Sequence, residues 1–293
     1  MSGSSRVLEV VVVAYGSPAP LELCLAALGD EYHPIVVDNS SLAETRAVVE
    51  RHGGVYLDPG RNLGFAAGVN HALRYTHRPD ADVLLLNPDA VVSPEAIAAL
   101  HDRLVADPRA ACAAPSQTDP ETGEAARVAW PFPSPAGAWI EALGLGSTRS
   151  RADFLIGAVL LLRAEALTDV GLLDERFFLY AEETDWQLRA TRRGWHVLPC
   201  PDIVATHVGA GTGGDPWRRE TYFHASHERF IRKHYGVAGW QLFRTAAIVG
   251  AGIRVALGHG ERRQRAAGRL RLYLGGPVKA EGRLTAGPAA PPT

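Results

Sequence analysis

The sequence predicts an α/β fold in which a mainly parallel sheet is flanked by helices. Short, uninterrupted apolar runs are typical of strands that are buried on both faces. Between them lie segments whose apolar residues recur with helical spacing. The two kinds of segment alternate over the first 116 residues, as in repeated βα units.

The predicted strands of this half all end close to polar or small residues. They are Val7–Ala14, Pro34–Asp38, Val55–Leu57, Val83–Asn87 and Ala110–Ala114. Two helix starts are marked. Ser41 to Glu44 has the spacing of a capping box, and Ser93–Pro94 places a cap residue before proline.

The second half is less regular. We expect extended chain at Phe154–Leu162 and Val197–Val208, and helices at Ala164–Val170, Glu182–Arg193 and Asp215–Tyr235, followed by an amphipathic region to about Leu274. The final residues, TAGPAAPPT, are predicted to be disordered. These patterns divide the chain into residues 1–116, 117–236 and 237–293.

Charge is unevenly distributed along the chain. Residues 229–283 contain 12 Lys and Arg against two Glu, whereas the whole protein has a net charge of −2. The basic segment 258–274 also contains leucines, so we expect it to lie on an anionic membrane surface. The alternative is a helix that packs on the rest of the chain with its arginines in water. No nucleic acid is expected as a partner, because the rest of the chain is acidic.

Cysteine usage and hydropathy point to the cytoplasm. Cys24, Cys112 and Cys200 are sparse and form no CxxC motif, which is typical of small buried residues in a reducing compartment. No signal peptide and no apolar run of membrane-spanning length is evident. We therefore expect a cytoplasmic protein, attached peripherally to the inner face of the membrane if the basic segment binds lipid.

Polar side chains follow three of the predicted strands. Tyr15 follows the first, Asp38 and Asn39 end the second, and Asn87-Pro88-Asp89 ends the fourth. Ligands of open parallel sheets bind beyond the carboxyl ends of the strands. The sequence therefore predicts that these residues line one crevice.

Five segments resemble family 2 glycosyltransferases of the GT-A fold. They are VVVAYGSP, IVVDNSS, GRNLGFAAGVNHAL, VLLLNPDAVV and DERFFLYAEETDWQLRATRRGW, in the order that the family has. The pattern is most similar to the bacterial rhamnosyltransferase branch and covers roughly residues 7–236. It departs from the family at Ala14 and Gly16, where Thr and Asn are usual, and at Asn87-Pro88-Asp89, where the family has Asp-x-Asp. The resemblance implies inverting transfer of a sugar from a nucleotide-diphosphate donor to an acceptor hydroxyl.

The resemblance implies where the donor binds. Asp38 would accept a hydrogen bond from the pyrimidine ring N–H; the alternative is that it caps the next helix. Asn62 and Gly64 would contact the donor at a helix N-terminus. The alternative is that the small residues Gly64, Ala67 and Gly68 only allow helix–sheet packing. The nucleotide-sugar-binding residues that we predict are Tyr15, Asp38, Asn39, Asn62, Gly64 and Asn87.

A divalent cation, Mg²⁺ or Mn²⁺, is the predicted cofactor. Asp89 is the expected metal ligand, because a hard cation prefers oxygen ligands and a diphosphate supplies further ones. Asn87-Pro88-Asp89 could instead be only a turn. The resemblance also places His207 near the diphosphate or the metal, although a histidine with ordinary partners explains it equally well.

Glu182, Glu183 and Asp185 open a predicted helix. An inverting transferase needs one carboxylate that takes the proton of the acceptor hydroxyl. In the family an acidic pair has this role, and Glu183 occupies the second place, so it is the expected base, followed by Asp185 and then Glu182. The alternatives are the preference of helix N-termini for acids and an ion pair between Asp185 and Arg189.

The branch resemblance favours dTDP-L-rhamnose as donor, with a UDP-hexose or UDP-N-acetylhexosamine as the alternative, and leaves open a catalytically silent sugar-nucleotide-binding protein. The acceptor could be a glycan, a lipid-linked saccharide or a small molecule. Gly209–Gly214 matches G-x-G-x-x-G but lacks a βαβ unit, so we expect a loop that closes over the donor, not a dinucleotide site.

Overall fold

The computed structural model describes residues 7–16, 18–75, 78, 80–145, 152–207 and 215–285. These form two compact units. The first contains the described residues of Met1–Trp130, Ala152–Phe178 and Glu182–Gly214, and the second those of Pro131–Arg151, Leu179–Ala181 and Asp215–Thr293. The predicted loop Gly209–Gly214 and the tail from residue 286 onward lie outside the described residues. The three-part division of the chain remains a prediction.

Among the described residues, the first unit contains a sheet of nine strands. Its order is β3-β2-β1-β4-β10-β6-β11-β5, with β7 beside β6, while β8 and β9 form a separate pair. The strands are β1 (Leu8–Ala14), β2 (Ile35–Asp38), β3 (Val55–Leu57), β4 (Asp82–Leu86), β5 (Ala90–Val91), β6 (Ala110–Thr118), β7 (Ala125–Ala126), β8 (Ala129–Trp130), β9 (Phe154–Leu155), β10 (Val159–Leu162) and β11 (His196–His207). Strands β3, β2, β1 and β4 are mutually parallel, as are β6 and β11, whereas β10 runs antiparallel between β4 and β6.

Helices cover both faces of this sheet, which explains the uninterrupted apolar strands. Val10 and Val12 belong to the core beneath α1, α2 and α4, and Val11 and Val13 to the core beneath α3, α6 and α7. The helices of this unit are α1 (Pro18–Ala27), α2 (Ala43–Arg51), α3 (Phe65–Tyr75), α4 (Pro94–Ala106), α6 (Ala164–Val170) and α7 (Glu182–Arg192). Successive side chains of a strand point to opposite faces, so a strand between two helix layers is apolar throughout. The predicted α/β class with flanking helices is confirmed.

One of the two predicted helix starts is wrong. The hydroxyl of Ser93 accepts the N–H of Ala96 and caps α4, as predicted. However, α2 begins at Ala43 with Leu42 at the cap position and no side-chain cap bond. Ser41 has a left-handed backbone (φ 53°), and its hydroxyl donates to Asp58 at 2.7 Å. Asp38 accepts the N–H of Leu42 instead, because the strand ends close enough for its carboxylate to reach that group.

The strand predicted at Phe154–Leu162 is interrupted. β9 pairs with β8, and the chain leaves the sheet before β10 begins beside β4. The side chain of Gln187 in α7 bonds both backbone groups of Leu155, accepting its N–H at 2.8 Å and donating to its carbonyl at 2.7 Å. This tertiary contact holds β9 away from the line of β10.

The second unit is helical and consists of α5 (Pro135–Ala142), α8 (Pro216–Leu257), α9 (Gly260–Gly275) and α10 (Pro277–Thr285). α8 is kinked at Gly236, whose φ is 68°. Leu272 and Tyr273 of α9 are buried, and the Tyr273 hydroxyl lies 2.9 Å from Nδ1 of His224. Leu272 and Tyr273, two of the apolar residues that we expected to face a membrane, thus pack within the second unit, whereas Leu274 is exposed. Attachment to a membrane remains a prediction. None of the described helices is long and apolar enough to span a bilayer.

Candidate active site

The polar strand ends meet at one edge of the sheet. β1 is parallel to both of its neighbours, with Ala14 opposite Asp38 and Val12 opposite Leu86. Adjacent strands lie about 4.8 Å apart, so the ends of β2 and β4 are separated by roughly 10 Å. Tyr15, which is exposed, follows β1 between them. The geometry agrees with the crevice that the sequence predicts.

Asp38 is fully buried and accepts four hydrogen bonds. Its Oδ1 accepts the N–H (2.9 Å) and the hydroxyl (2.6 Å) of Ser40, and its Oδ2 accepts the N–H of Leu42 (2.8 Å) and the hydroxyl of Tyr56 (3.0 Å). Burial and this bond raise the pKa of Tyr56 to about 12. A carboxylate has about four lone-pair positions, so a nucleotide base would have to replace one of these donors. The capping alternative is therefore observed, and a base contact requires exchange.

Asn39 connects β2 to the loop before α3. Its Nδ2 donates to the carbonyl of Gly64 and its Oδ1 accepts the N–H of Leu63, both at 3.1 Å. Asn62 is exposed and bonds the N–H of Gly64 at 2.9 Å. These contacts fix the predicted donor loop beside the end of β2.

Gly64 is required by its surroundings. Its φ is 80°, and a Cβ at this position would lie 2.3 Å from the carbonyl oxygen of Phe178. Gly68 similarly allows α3 to approach Val13, whose Cγ1 would lie 2.9 Å from an added Cβ. The packing alternative for these glycines is thus observed, whereas contact with a donor remains a prediction.

Asn87, Asp89 and His207 converge at the end of β4. Nε2 of His207 lies 3.2 Å from Oδ1 of Asp89 and 3.4 Å from Nδ2 of Asn87. β11 brings His207 to this place because it pairs with Ala90, the residue after Asp89. The N–H of Ala90 also bonds the carbonyl of Asn87, so the turn foreseen as an alternative exists and presents Asp89 to His207.

This cluster fits a divalent cation. Asp89 is buried, and among the described residues nothing hydrogen-bonds to its Oδ1. A buried carboxylate oxygen beside an imidazole nitrogen needs a shared proton or a cation. The described residues contain no group of three or more His, Cys, Asp or Glu side chains that could hold a metal. Asp89 and His207 would therefore supply part of a coordination shell and a ligand or solvent the remainder.

Glu182 and Glu183 form a buried acidic pair at the start of α7. Among the described residues, Oε2 of neither side chain has a hydrogen-bond partner. Burial raises the pKa of Glu182 well above its usual range, and the neighbouring Glu183 raises it further. Burial also raises the pKa of Glu183, to about 7, while nearby backbone N–H groups lower it. Near neutral pH the pair thus contains a carboxyl group poised to accept a proton.

Gly157 links this pair to the cluster of Asn87, Asp89 and His207. A Cβ at Gly157 would lie 3.6 Å from Cγ of Glu183, which is ordinary contact. The next residue, Ala158, accepts the N–H of Asn87 at 2.8 Å. Glu183 and the Asn87 cluster are therefore joined through two consecutive residues of one loop.

Asp185 belongs to a different network. It is completely buried, and its Oδ2 accepts Nε of Arg189 at 2.9 Å. Arg189 also donates to the carbonyls of Val170 and Leu172. The ion pair that the sequence allowed is thus observed, and it connects α7 to the end of α6.

Three residues near the site were not identified from the sequence. Tyr56 bonds Asp38, Gly157 contacts Glu183, and Gln117 is buried with neither amide atom hydrogen-bonded among the described residues. Gln117 pairs with Ala205, two residues before His207. Of these three, only Gly157 could have been identified from the sequence, because a glycine inside a strand pattern marks a break in the strand or a close approach of another group.

The fold agrees with the comparisons. A sequence model of the family described as "Glycosyltransferase like family 2" matches residues 5–236. The chain belongs to this family. The family 2 match covers every predicted site residue and ends at Gly236, where α8 is kinked. This chain is therefore a glycosyltransferase.

Two relatives of this family 2 glycosyltransferase share a large part of its length. The N-acetylglucosaminyl-diphospho-decaprenol L-rhamnosyltransferase of Mycobacterium tuberculosis is 32% identical over 268 residues, covering 80% of this chain and 86% of the relative. The low-salt glycan biosynthesis hexosyltransferase Agl10 of Haloferax volcanii is 26% identical over 215 residues, covering 68% and 66%. The solved mannosyltransferase PcManGT of Pyrobaculum calidifontis, in complex with GDP-Man and Mn²⁺, superposes with a TM-score of 0.56 at 17% identity, over 97% of this chain and 85% of that one. That likeness confirms the GT-A fold.

Proposed function

We propose that this glycosyltransferase is metal-dependent and inverts the configuration of the sugar that it transfers. The observation that carries the proposal is the buried Oδ1 of Asp89, which has no hydrogen bond among the described residues and lies 3.2 Å from Nε2 of His207. The solved structure of the mannosyltransferase PcManGT contains Mn²⁺ together with GDP-Man, which supports a divalent cation in this fold.

Asp89 and His207 would hold the cation, with Mg²⁺ and Mn²⁺ as the candidates. When bound, the cation would neutralise negative charge that develops on the diphosphate leaving group. Nδ2 of Asn87 lies 3.4 Å from Nε2 of His207. Because the single lone pair of Nε2 cannot accept an N–H and bind a cation at once, this contact would give way when the cation binds. Pairing of β11 with β5 keeps both ligands at the strand end.

Glu183 is the proposed general base. Its carboxylate takes the proton of the acceptor hydroxyl while that oxygen forms a bond to the anomeric carbon. The bond from this carbon to the diphosphate oxygen breaks, and the nucleoside diphosphate leaves with the electron pair. One displacement on the face opposite the leaving group inverts the anomeric centre. Burial raises the pKa of Glu183 to about 7, which suits a base at neutral pH.

Glu182 and Asp185 have supporting places in this proposal. Glu182 has a pKa well above its usual range because of burial and of Glu183, so it stays protonated and adds no second negative charge. The carboxylate of Asp185 forms an ion pair with Arg189, with Oδ2 lying 2.9 Å from Nε, so it positions α7. Glu183 is therefore the proposed base. Asp185 acts by positioning α7, and Glu182 acts by remaining uncharged.

The proposed donor is dTDP-L-rhamnose. The relative at 32% identity is named an L-rhamnosyltransferase, and it covers 80% of this chain. A UDP-hexose or UDP-N-acetylhexosamine is the alternative, which the hexosyltransferase at 26% identity supports more weakly. In either case the pyrimidine would approach the end of β2, where Asp38 could exchange the hydroxyl of Tyr56 for the base N–H.

A lipid-linked saccharide is the proposed acceptor. The relative from Mycobacterium tuberculosis is named for N-acetylglucosaminyl-diphospho-decaprenol. A free glycan end or a small natural product are the alternatives. The acceptor hydroxyl would have to approach Glu183 beside Gly157, where the absence of a Cβ leaves room next to the Glu183 side chain.

The deciding experiment is transfer from a panel of sugar nucleotides to a synthetic N-acetylglucosaminyl-diphospho-polyprenol. We expect dTDP-L-rhamnose to be consumed fastest, with product formation that stops in excess chelator and returns with Mg²⁺ or Mn²⁺. Proton NMR of the product gives the anomeric configuration. Retention of configuration, or full activity in chelator, contradicts the proposed mechanism, and preference for a UDP sugar contradicts the proposed donor.

A further inference from the structure

Exposed apolar side chains gather where α8 ends and α9 begins. Leu257, the last residue of α8, is 75% exposed, and Ile253 lies one turn earlier with 41% exposure. We call the set Ile253, Arg254, Leu257, Arg262, Arg263 and Arg265 the hairpin end. Two large exposed apolar side chains thus lie one turn apart at the tip of a helical hairpin.

Two further exposed leucines directly follow α5. Gly250 of α8 approaches Ala142, with an added Cβ falling 3.1 Å from its Cα, and Arg254 lies 3.6 Å from Glu141. The chain after Ala142 therefore leaves α5 beside the hairpin end. It carries Leu143 and Leu145, which are 51% and 73% exposed.

The arginines of the hairpin end have few acidic partners. Among the described residues, Arg262 and Arg263 form no ion pair, and both are exposed. Arg265 pairs with Glu261 at 3.3 Å, but both side chains lie in water, where such a pair contributes little. The surface is therefore positively charged around an apolar centre.

Much of the rest of α9 packs within the second unit. Tyr273 and Leu272 are buried, and Arg269 pairs with Glu220 of α8. Arg271 and Leu274 are exposed, but they lie near the end of α9, whereas Arg262, Arg263 and Arg265 lie in its first turns, shortly after Leu257. The contact surface that we consider is therefore the hairpin end with Leu143–Leu145.

We propose that the hairpin end docks on an anionic phospholipid bilayer. Leu257 and Ile253 enter the interface between headgroups and acyl chains, and Arg262, Arg263 and Arg265 bind lipid phosphates. Basic residues around a protruding apolar centre match this occupant, because a bilayer offers phosphate at its surface and hydrocarbon directly below. The proposal does not depend on the donor, the acceptor or the metal.

Vesicle cosedimentation of the full chain tests the charges. We expect low-salt binding to vesicles of phosphatidylcholine with phosphatidylglycerol, and none to phosphatidylcholine alone. Each arginine near such a surface contributes about fivefold, so replacing Arg262, Arg263 and Arg265 by Gln should weaken binding on the order of 100-fold. The matched control replaces Arg51, Arg78 and Arg103 by Gln, since these arginines are also exposed and lie in the first unit. It should bind like the native protein.

A fluorescent label tests insertion. The three native cysteines are buried, and burial raises the pKa of each thiol, so they resist labelling. An environment-sensitive dye on Leu257→Cys should shift to shorter wavelength with anionic vesicles. The same dye on Leu23→Cys, a position 67% exposed on α1, should not shift.

Several outcomes overturn the proposal. One is a native protein that stays in the supernatant at low salt with anionic vesicles. Another is an equal loss of binding in the Arg51, Arg78 and Arg103 control, which would indicate only a general charge effect. An unshifted dye at position 257 with bound protein would exclude this tip as the contact. Sugar transfer is measured separately, so a native protein that transfers sugar to a soluble acceptor analogue but does not bind anionic vesicles refutes only the docking proposal.

Discussion

Oδ1 of Asp89 and Nε2 of His207 lie 3.2 Å apart, although 118 residues separate them in the chain. Two strands create this contact, since β11 pairs antiparallel with β5, the short strand directly after Asp89. A second His–Asp pair serves as an internal control: Nε2 of His101 lies 2.8 Å from Oδ2 of Asp82 at the start of β4.

The first prediction concerns the metal. Asp89→Asn and His207→Ala should each reduce transfer by about 100-fold or more and weaken Mn²⁺ binding, because each removes a proposed ligand. Mn²⁺ affinity can be measured by electron paramagnetic resonance in the presence of the nucleoside diphosphate. His101→Ala is the control and should lower stability but leave Mn²⁺ affinity unchanged. Native Mn²⁺ affinity in both site variants would contradict the assignment.

The second prediction concerns the base. Glu183→Gln keeps the shape of the side chain but cannot take a proton, so turnover should fall by about 10²–10⁴-fold with donor affinity unchanged. Asp185→Asn should instead lower the melting temperature, because Arg189 loses its buried partner. Rates and melting curves of both variants distinguish these effects. A folded Asp185→Asn protein without turnover, beside an active Glu183→Gln protein, would move the base two residues along.

A third prediction follows from the raised pKa of Glu183. The base must be ionised, so kcat/KM should rise as pH increases through about 7 and level off above it. Stability should change in the opposite direction. A carboxyl with a raised folded-state pKa stabilises the protein below its unfolded value near 4.3 and loses that contribution as pH rises through the folded value. Glu183→Gln should therefore melt roughly 5 °C higher than the native protein at pH 8, but equally at pH 4. Equal melting temperatures of the two proteins at pH 8 would show that folding does not raise the pKa of Glu183.

The fourth prediction concerns the donor loop. Gly64→Ala should destabilise the protein by about 3 kcal/mol or more, because the left-handed backbone and the carbonyl of Phe178 both exclude a Cβ. Gly60→Ala is the matched control in the same loop. Gly60 also has positive φ (71°) but open space around it, so we expect only about 1–2 kcal/mol. Urea unfolding measures both. If both variants lost similar amounts of stability, the close approach of Phe178 would not explain why glycine occupies position 64.

The fifth prediction separates the two roles of Asp38. Tyr56→Phe frees one lone pair of the carboxylate, so the affinity for dTDP should rise if the base binds there, at a cost in stability of about 1 kcal/mol. Asp38→Asn should weaken dTDP binding at least roughly tenfold as well as lowering stability. Isothermal titration calorimetry with dTDP decides the question. Unchanged affinity in both variants would leave Asp38 with its capping role alone.

The sequence by itself determined the sheet that carries the site. Strands buried between two helix layers are apolar at nearly every position, and runs of apolar residues marked β1, β2, β4 and the partly exposed edge strand β3 to within one residue at each end. Parallel pairing then brings their polar ends to one edge, so Tyr15, Asp38 and Asn87 could be placed together from periodicity and strand direction. The helix at Glu182 was marked by its acids for the same local reason.

Only the tertiary structure decided what those side chains contact. Asp38 rather than Ser41 caps the turn before α2, because a strand end and a loop happen to lie within hydrogen-bond reach. Asp185 is engaged by Arg189, whereas Glu183 lies beside Gly157 with a raised pKa. Leu272 and Tyr273 of α9 are buried, whereas Leu257 at the end of α8 and the arginines that follow it are exposed. Burial, partner distance and pKa depend on residues far apart in the chain, and a local pattern contains no information about them.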